Sequence, residues 1–222
     1  MKRAWPLIFV SVLGLAVFLW GCAPVNLYHV SVRYEPTKPV GPLKEGQKGK
    51  KLVVTLFRDM RKVDDPVKMG WVLERGGKKL YVLPERDYPD KAVTEAASNY
   101  LHHQGFSILE SHPSWDLEEG TIDGRWGDIV IGGAIEEMWV TCDNSDPFMP
   151  AKTFAARVKL KVVLADGRTK RIIYKTEAEA EVIAKDFPFS EEKLSRHLNS
   201  ALRIALEKIF TDEKVTRVLT DL

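Results

Sequence analysis

Cysteine is scarce in this sequence, and neither sign of charge is in surplus. Only Cys22 and Cys142 occur among 222 residues, too few for a disulfide scaffold. Lys and Arg number 33 against 31 Asp and Glu. Setting aside Lys2 and Arg3, which lie in an N-terminal leader, leaves 31 of each sign. A neutral chain lacks the positive field that supplies most affinity for phosphate backbones, so nucleic acid is excluded as a partner. The sequence also lacks a G-x-S-x-G elbow, a phosphate-binding loop and an H-E-x-x-H pair. These absences weigh modestly against catalysis, and the protein is expected not to be an enzyme and to carry no cofactor. There is no internal repeat and no low-complexity segment. What remains is ordinary for a globular domain: 45% hydrophobic and 29% charged residues.

The longest uncharged, mostly apolar run lies at the N-terminus. Met1-Lys2-Arg3 is a short basic start, and the run from Ala4 to Gly21 leads into Cys22-Ala23-Pro24. A bilayer span takes about 20 residues. A run at the short end of that range, N-terminal, with a small residue before a cysteine, reads as a secretory leader. Leu19-Trp20-Gly21-Cys22 resembles the bacterial lipobox, with Trp20 where a small residue is usual. The resemblance implies a diacylglyceryl group on the Cys22 sulfur, removal of residues 1–21 as a signal peptide, and acylation (a palmitate-type chain) of the new amine. Stable anchoring takes more than one acyl chain, and three on one residue exceed that need. The alternative is an uncleaved signal anchor. Ala23 follows the cysteine, where Asp retains enteric lipoproteins at the inner membrane. By analogy the expected location is the inner leaflet of the outer membrane, facing the periplasm.

Residues 22–50 read as the lipidated cysteine and a flexible tether. They carry Pro24, Pro36, Pro39 and Pro42, with Gly41, Gly46, Gly49 and the lysines Lys44, Lys48 and Lys50 interspersed. Within them Val30 to Tyr34 alternates in the manner of a short strand.

Residues 51–222 read as one α+β periplasmic domain. Lys51 to Phe57 is a β-branched, apolar strand. Val72–Arg75 and Leu80–Leu83 flank Gly76-Gly77 as a hairpin. From Asp90 to Gln104, Val93, Ala96, Ala97, Tyr100 and Leu101 share one helical face, with Asp90 suited to the start and Gly105 to a left-handed stop. A strand from Phe106 to Leu109 follows. Asp128 to Thr141 reads as a long strand in which Gly132-Gly133 marks a bulge or a close approach. Thr153–Leu164 and Arg171–Ala184 alternate cleanly, with Phe154, Leu160, Ile172 and Tyr174 on the apolar side. A three-residue loop with Gly167 left-handed is expected between them, because it keeps both apolar faces together. Ser190 caps a second long helix, and a short third one runs from Asp212 to Leu219. The expected architecture is a two-layer sandwich: a mostly antiparallel sheet with two main helices packed on one face.

With the lipobox at Cys22, other pieces fall into a known order. A first strand runs into Phe57-Arg58-Asp59-Met60-Arg61, Gly70 follows, a helix ends in Gly105-Phe106, Asp128 to Ile135 opens a long strand, and a hairpin and helix close the chain. Over roughly residues 50 to 210 the chain resembles small bacterial envelope lipoproteins of the YajG type and the related ABC-transporter auxiliary lipoproteins. The resemblance implies an accessory or adaptor domain in envelope transport or assembly, with an envelope protein complex, such as an ABC transport system, as partner. A binding module for a lipid or envelope glycan is the alternative.

Candidate chemistry is sparse. Asp59 and Arg61 either pair as a local salt bridge or touch a partner. Phe148 and Met149, between Pro147 and Pro150, suit a contact loop or the core. The polar sheet face of Arg157, Lys159, Lys161, Glu177, Glu179 and Glu181 suits cross-strand ion pairs or docking. His29, His102, His103, His112 and His197 have no metal-ligand spacing, so no metal is expected. Cys142 reads as a buried, inert thiol. Glu136 and Glu137 are expected on opposite faces of their strand. Ser190 and Lys193 match S-x-x-K, but a helix cap explains Ser190 better.

Overall fold

The computed structural model describes residues 27–36 and 50–221, with side chains through Thr220. Cys22, the leader and most of the tether lie outside the described residues. Nine strands and three α-helices follow in order: β1 (Tyr28–Val30), β2 (Lys51–Val54), β3 (Arg58–Asp59), β4 (Gly70–Leu73), β5 (Lys79–Pro84), α1 (Pro89–His103), β6 (Ser107–Ile108), β7 (Ile129–Asp143), β8 (Lys152–Asp166), β9 (Arg171–Asp186), α2 (Glu191–Phe210) and α3 (Glu213–Asp221).

The α+β class is as expected, but the sheet is mixed rather than mostly antiparallel. β7 organises it. Along one edge β7 pairs β8 antiparallel over almost its full length, and β9 follows β8. Along the other edge β2, β3 and β4 pair it in succession, all parallel, at residues 129–131, 134–135 and 140–143. β6 and β1 add further parallel pairs on β2 and β5. A mostly antiparallel sheet arises when neighbours in sequence pair with each other. Only the β4–β5 hairpin and β7–β8–β9 do so. The first seven residues of β7, IVIGGAI, are all buried, as befits a strand covered on both faces.

Both long helices pack on the Phe154/Leu160 face. Val93, Ala97 and Leu101 of α1 and Leu198, Leu202 and Leu206 of α2 share one core with Leu52, Ile131, Val158 and Leu160. The architecture departs from two layers at one end of the opposite face. There Trp115, Ile122, Leu117 and Trp126, from the irregular stretch before β7, cover Val53, Val130, Val163 and Ala165. Gly132 admits this layer: a Cβ there would collide with Trp115 and stand 2.7 Å from Leu117. The double glycine thus marks a close approach, and the bulge in β7 sits at Glu136 instead.

The β8–β9 connection also differs from expectation. It has four residues, Gly167 to Lys170, and Lys170 rather than Gly167 is left-handed, at φ 56°. Such a loop pairs even positions with odd, as Ala165 with Ile172. A bulge at Ile173 then shifts the register so that Leu164 meets Tyr174. The apolar faces do coincide beyond it, while Ile172 falls on the other side, against the smaller core.

The helix ends follow simple capping chemistry. At α1 the cap residue is Tyr88, without a side-chain bond, and Asp90 lies in the first turn. Its C-terminus closes as a Schellman motif, with Phe106 N–H donating to Leu101 C=O at 3.1 Å, Gly105 N–H to His102 C=O at 2.9 Å, and Gly105 at φ 90°. Ser190 caps α2, accepting from Lys193 N–H.

β1 lies within the stretch that reads as tether, and it is docked. One side pairs β5. On the other, the N–H groups of His29, Ser31 and Arg33 donate to Glu191, Ser195 and Asn199 at 2.8, 3.0 and 3.0 Å. These acceptors recur every four residues, which places them on one face of α2. They serve the extended segment in place of another strand.

Candidate functional site

Asp59 and Arg61 come together with a specific purpose. Between β3 and β4 the edge of β7 has no strand beside it. The Arg61 guanidinium, 1% exposed, occupies that place. It donates to Met138 C=O at 3.3 Å, Lys68 C=O at 3.0 Å and Pro66 C=O at 2.6 Å, and forks onto Asp59 at 2.9 and 2.8 Å. Every strong donor direction of the guanidinium is thereby used inside the domain.

Over this buried fork the chain from Met60 to Asp64 and the bulged part of β7 enclose a groove of about 780 Å³. Met60, Lys62, Val63, Glu136, Trp139 and Lys159 are among its walls. The bulge places Glu136 and Glu137 on the same outer face, not on opposite ones. Each meets different cations. Glu136 pairs Lys159 at 2.9 Å and also Lys161, and Glu137 lies 3.7 Å from Arg157. Arg157 also reaches Glu181 at 2.8 Å and Glu179 at 3.7 Å. Hydrogen bonds from Lys161 and Lys159 hold the Glu136 carboxyl below the usual carboxylate range. It is therefore ionised at neutral pH, the wrong direction for a general acid. The arrangement is a charged, grooved surface with a buried arginine beneath it, suited to recognition.

Above the ladder the same face carries Trp71, Tyr81 and Ile183. Lys79 lies over the Trp71 ring at 4.4 Å and Lys68 over Tyr81 at 4.1 Å. Phe148 and Met149 project from the β7–β8 loop, 90% and 52% exposed. They belong to the surface, not the core.

The remaining candidates resolve as structure. Lys193 donates to Asp186 at 2.6 Å while its own N–H is capped by Ser190, so the S-x-x-K pair is a helix start. His112 Nδ1 is 2.7 Å from Val54 C=O, His29 lies 3.7 Å from Glu191, and His197 packs on Phe154 with ring centroids 4.8 Å apart. Among the described residues no group of three or more His, Cys, Asp or Glu is placed to hold a metal ion. Cys142 is buried, and burial first, with Asp143 adding to it, pushes its thiol up to about 12. It lacks the thiolate character that reactivity requires. No helix among the described residues is long and apolar enough to cross a membrane.

Sequence reading missed the groove, because its walls meet only through the parallel β3–β7 pairing and the β7 bulge beside it. It also missed the Glu191/Ser195/Asn199 clamp, although a buried Asn beside an apolar helical stripe is a visible signal.

No family model matches the chain, and no curated protein matches it. Solved structures with a similar course of elements exist. A DUF330 protein of Xanthomonas campestris is 12% identical at a TM-score of 0.49, over 86% of this chain and 96% of its own. A Helicobacter pylori protein, described as a homologue of a neuraminyllactose-binding hemagglutinin, is 11% identical at 0.46, over 86% and 97%. The lipoprotein GNA1162 of Neisseria meningitidis is 9% identical at 0.37, over 70% and 96%. At these distances the likeness carries no functional weight.

Proposed function

We propose that the protein is a lipid-anchored accessory lipoprotein of the bacterial envelope, held at the membrane through Cys22, that acts without catalysis as an adaptor in envelope transport or assembly. The outer membrane, inner leaflet, is the location this reading favours. One observation supports it most: the outer face of β7 and β8 is left uncovered beyond the smaller core and presents a groove walled by Met60, Trp139 and paired charges. A mixed apolar and charged groove on an open sheet face suits a protein partner. The lipobox and the resemblance to YajG-type and transporter-auxiliary lipoproteins agree with that role.

The test is mild crosslinking of the full-length protein in its own cells, followed by mass spectrometry. An envelope complex crosslinked through Lys62 or Lys159, and lost in a folded Met60→Glu/Trp139→Ala variant, is the expected result. Recovery of the protein alone removes the adaptor role. Bound lipid or glycan in that preparation supports the binding-module alternative.

A further inference from the structure

Four separate parts of the chain converge on one end of the domain. β7 ends at Asp143, β8 begins at Lys152 and β9 ends at Asp186, so the loop 144–151 and Phe187 lie at that end together. β1 runs away from the same end. Tyr28 is level with Val82, hence with Gly70 and with Val140, three residues before the end of β7. The entry point is fastened there. Tyr28 Oη–H donates to Glu74 at 2.6 Å, and Glu74 also accepts from Asn144, the first residue of the loop, at 3.1 Å. The Tyr28 ring meets Phe189 edge-on at 5.1 Å.

Among the described residues the two exposed phenylalanines, Phe148 and Phe187, lie at this end, with Met149 beside Phe148. Phe148 is 90% exposed, Phe187 63% and Met149 52%. The polar groups around the loop turn onto the loop itself: Asp146 accepts from Phe148 N–H at 2.8 Å, Asp143 accepts from Ser145, and Lys152 donates to Asp146 C=O. Asp143 and Asp146 stay exposed but are bonded within the loop, while Phe148 and Met149 project outward. Cys22 lies five residues before Leu27. Five residues span at most about 17 Å, so an acylated Cys22 keeps this end, and no other, against the bilayer.

We infer that this end is a lipid-contact surface, with Phe148, Met149 and Phe187 seated in the interfacial layer of the leaflet that holds the acyl chains. The occupant is the bilayer, because the anchor's short reach brings lipid to these side chains before any soluble partner. Interfacial segments seat about 5–10 Å deep, within reach of a loop tip. The strands then stand roughly upright on the membrane, and the groove faces sideways, open to a partner. This orientation rests on the anchorage at Cys22 proposed above. It assigns Phe148 and Met149 a lipid rather than a protein contact.

The experiment uses full-length protein purified from membranes and reconstituted in phosphatidylethanolamine/phosphatidylglycerol vesicles. Mass spectrometry of the N-terminal peptide first reports acylation of Cys22. Nitroxide labels are then placed by Phe148→Cys, Met149→Cys and, at the opposite end, Thr169→Cys. Native Cys142 is buried and stays unlabelled, and these exposed positions leave the core intact. The expected result is oxygen accessibility several-fold above that of an aqueous nickel chelate at 148 and 149, with the reverse at 169. Aqueous behaviour at all three positions in acylated protein overturns the lipid contact and leaves the anchorage standing. Low accessibility to both reagents, with spin–spin broadening or a protein crosslink, overturns it in favour of a second copy or another protein. An unmodified Cys22 overturns the anchorage and the orientation with it.

Discussion

Asn199, buried in the middle of α2, accepts from the backbone N–H of Arg33 at 3.0 Å, across 166 residues of sequence. Its amide also donates to Ser31 C=O at 3.1 Å. One side chain thus satisfies a donor and an acceptor that an edge strand would otherwise meet. Asn199→Ala leaves both backbone groups without their partner, at a cost of about 1–3 kcal/mol. Urea denaturation reads the loss. Hydrogen exchange at Arg33 accelerates far more than exchange in β7, because the entry segment opens before the domain does.

Tyr28 and Glu74 fasten the start of the same segment. Burial first, and the Glu74 hydrogen bond next, raise the Tyr28 phenol above its ordinary value, so it remains a donor across the neutral range. Tyr28→Phe removes a bond to a charged acceptor, worth about 1.5–3 kcal/mol. The expected outcome is a lower denaturation midpoint with an unchanged slope. Added mobility in the Asn144–Met149 loop, read by NMR relaxation, accompanies it because Glu74 also holds Asn144.

Gly70 meets the backbone of β7 so closely that a Cβ would fall on the Val140 carbonyl oxygen. A carbonyl in a ladder cannot move aside as a flexible side-chain end can. Gly70→Ala is expected to cost more than about 3 kcal/mol, beyond ordinary overpacking. Gly120→Ala is the control: no atom lies within 4 Å of its added Cβ, and its effect should stay within about 0.5 kcal/mol. Equal, small effects at the two positions would show that β4 does not pair β7 in this register.

His197 links stability to pH. Burial lowers its imidazole below the ordinary value of 6.5, against the opposing pull of Asp186. Its Nε2 stands 3.6 Å from Asp186 Oδ2, beyond a hydrogen bond. A depressed folded value means the unfolded chain takes up the proton first as pH falls. The contribution is therefore full above about pH 6.5 and is lost as pH falls through the folded value. His197→Gln should flatten the dependence of unfolding free energy on pH below about 6.5. An unchanged slope places the titrating groups elsewhere.

Much of this molecule is determined by the sequence alone. Alternation of apolar and charged residues sets β8 and β9, since side chains on a strand take opposite faces in turn. The stripe from Leu194 to Ile209 sets α2, and Ser190 and Gly105 end their helices through local backbone chemistry that needs no distant partner. The resemblance of Leu19-Trp20-Gly21-Cys22 to a lipobox likewise rests on a local pattern.

Other features exist only once distant segments meet. Whether β2, β3 and β4 pair β7 parallel depends on the crossovers between them, which no local pattern records. The bulges at Glu136 and Ile173 move side chains across the sheet by one register step, so parity read along the chain misplaced Glu137 and Ile172. Asp59 and Arg61 read as a local salt bridge or a partner contact, and only the unpaired edge of β7 gives the Arg61 guanidinium a buried seat. The segment after Cys22 reads as linker because its own hydrogen-bonding partners lie on β5 and α2, some 50 and 160 residues away. Local sequence fixes the conformations a segment prefers. Tertiary structure decides which edges and faces it meets, and with them where this domain's groove and its exposed apolar end lie.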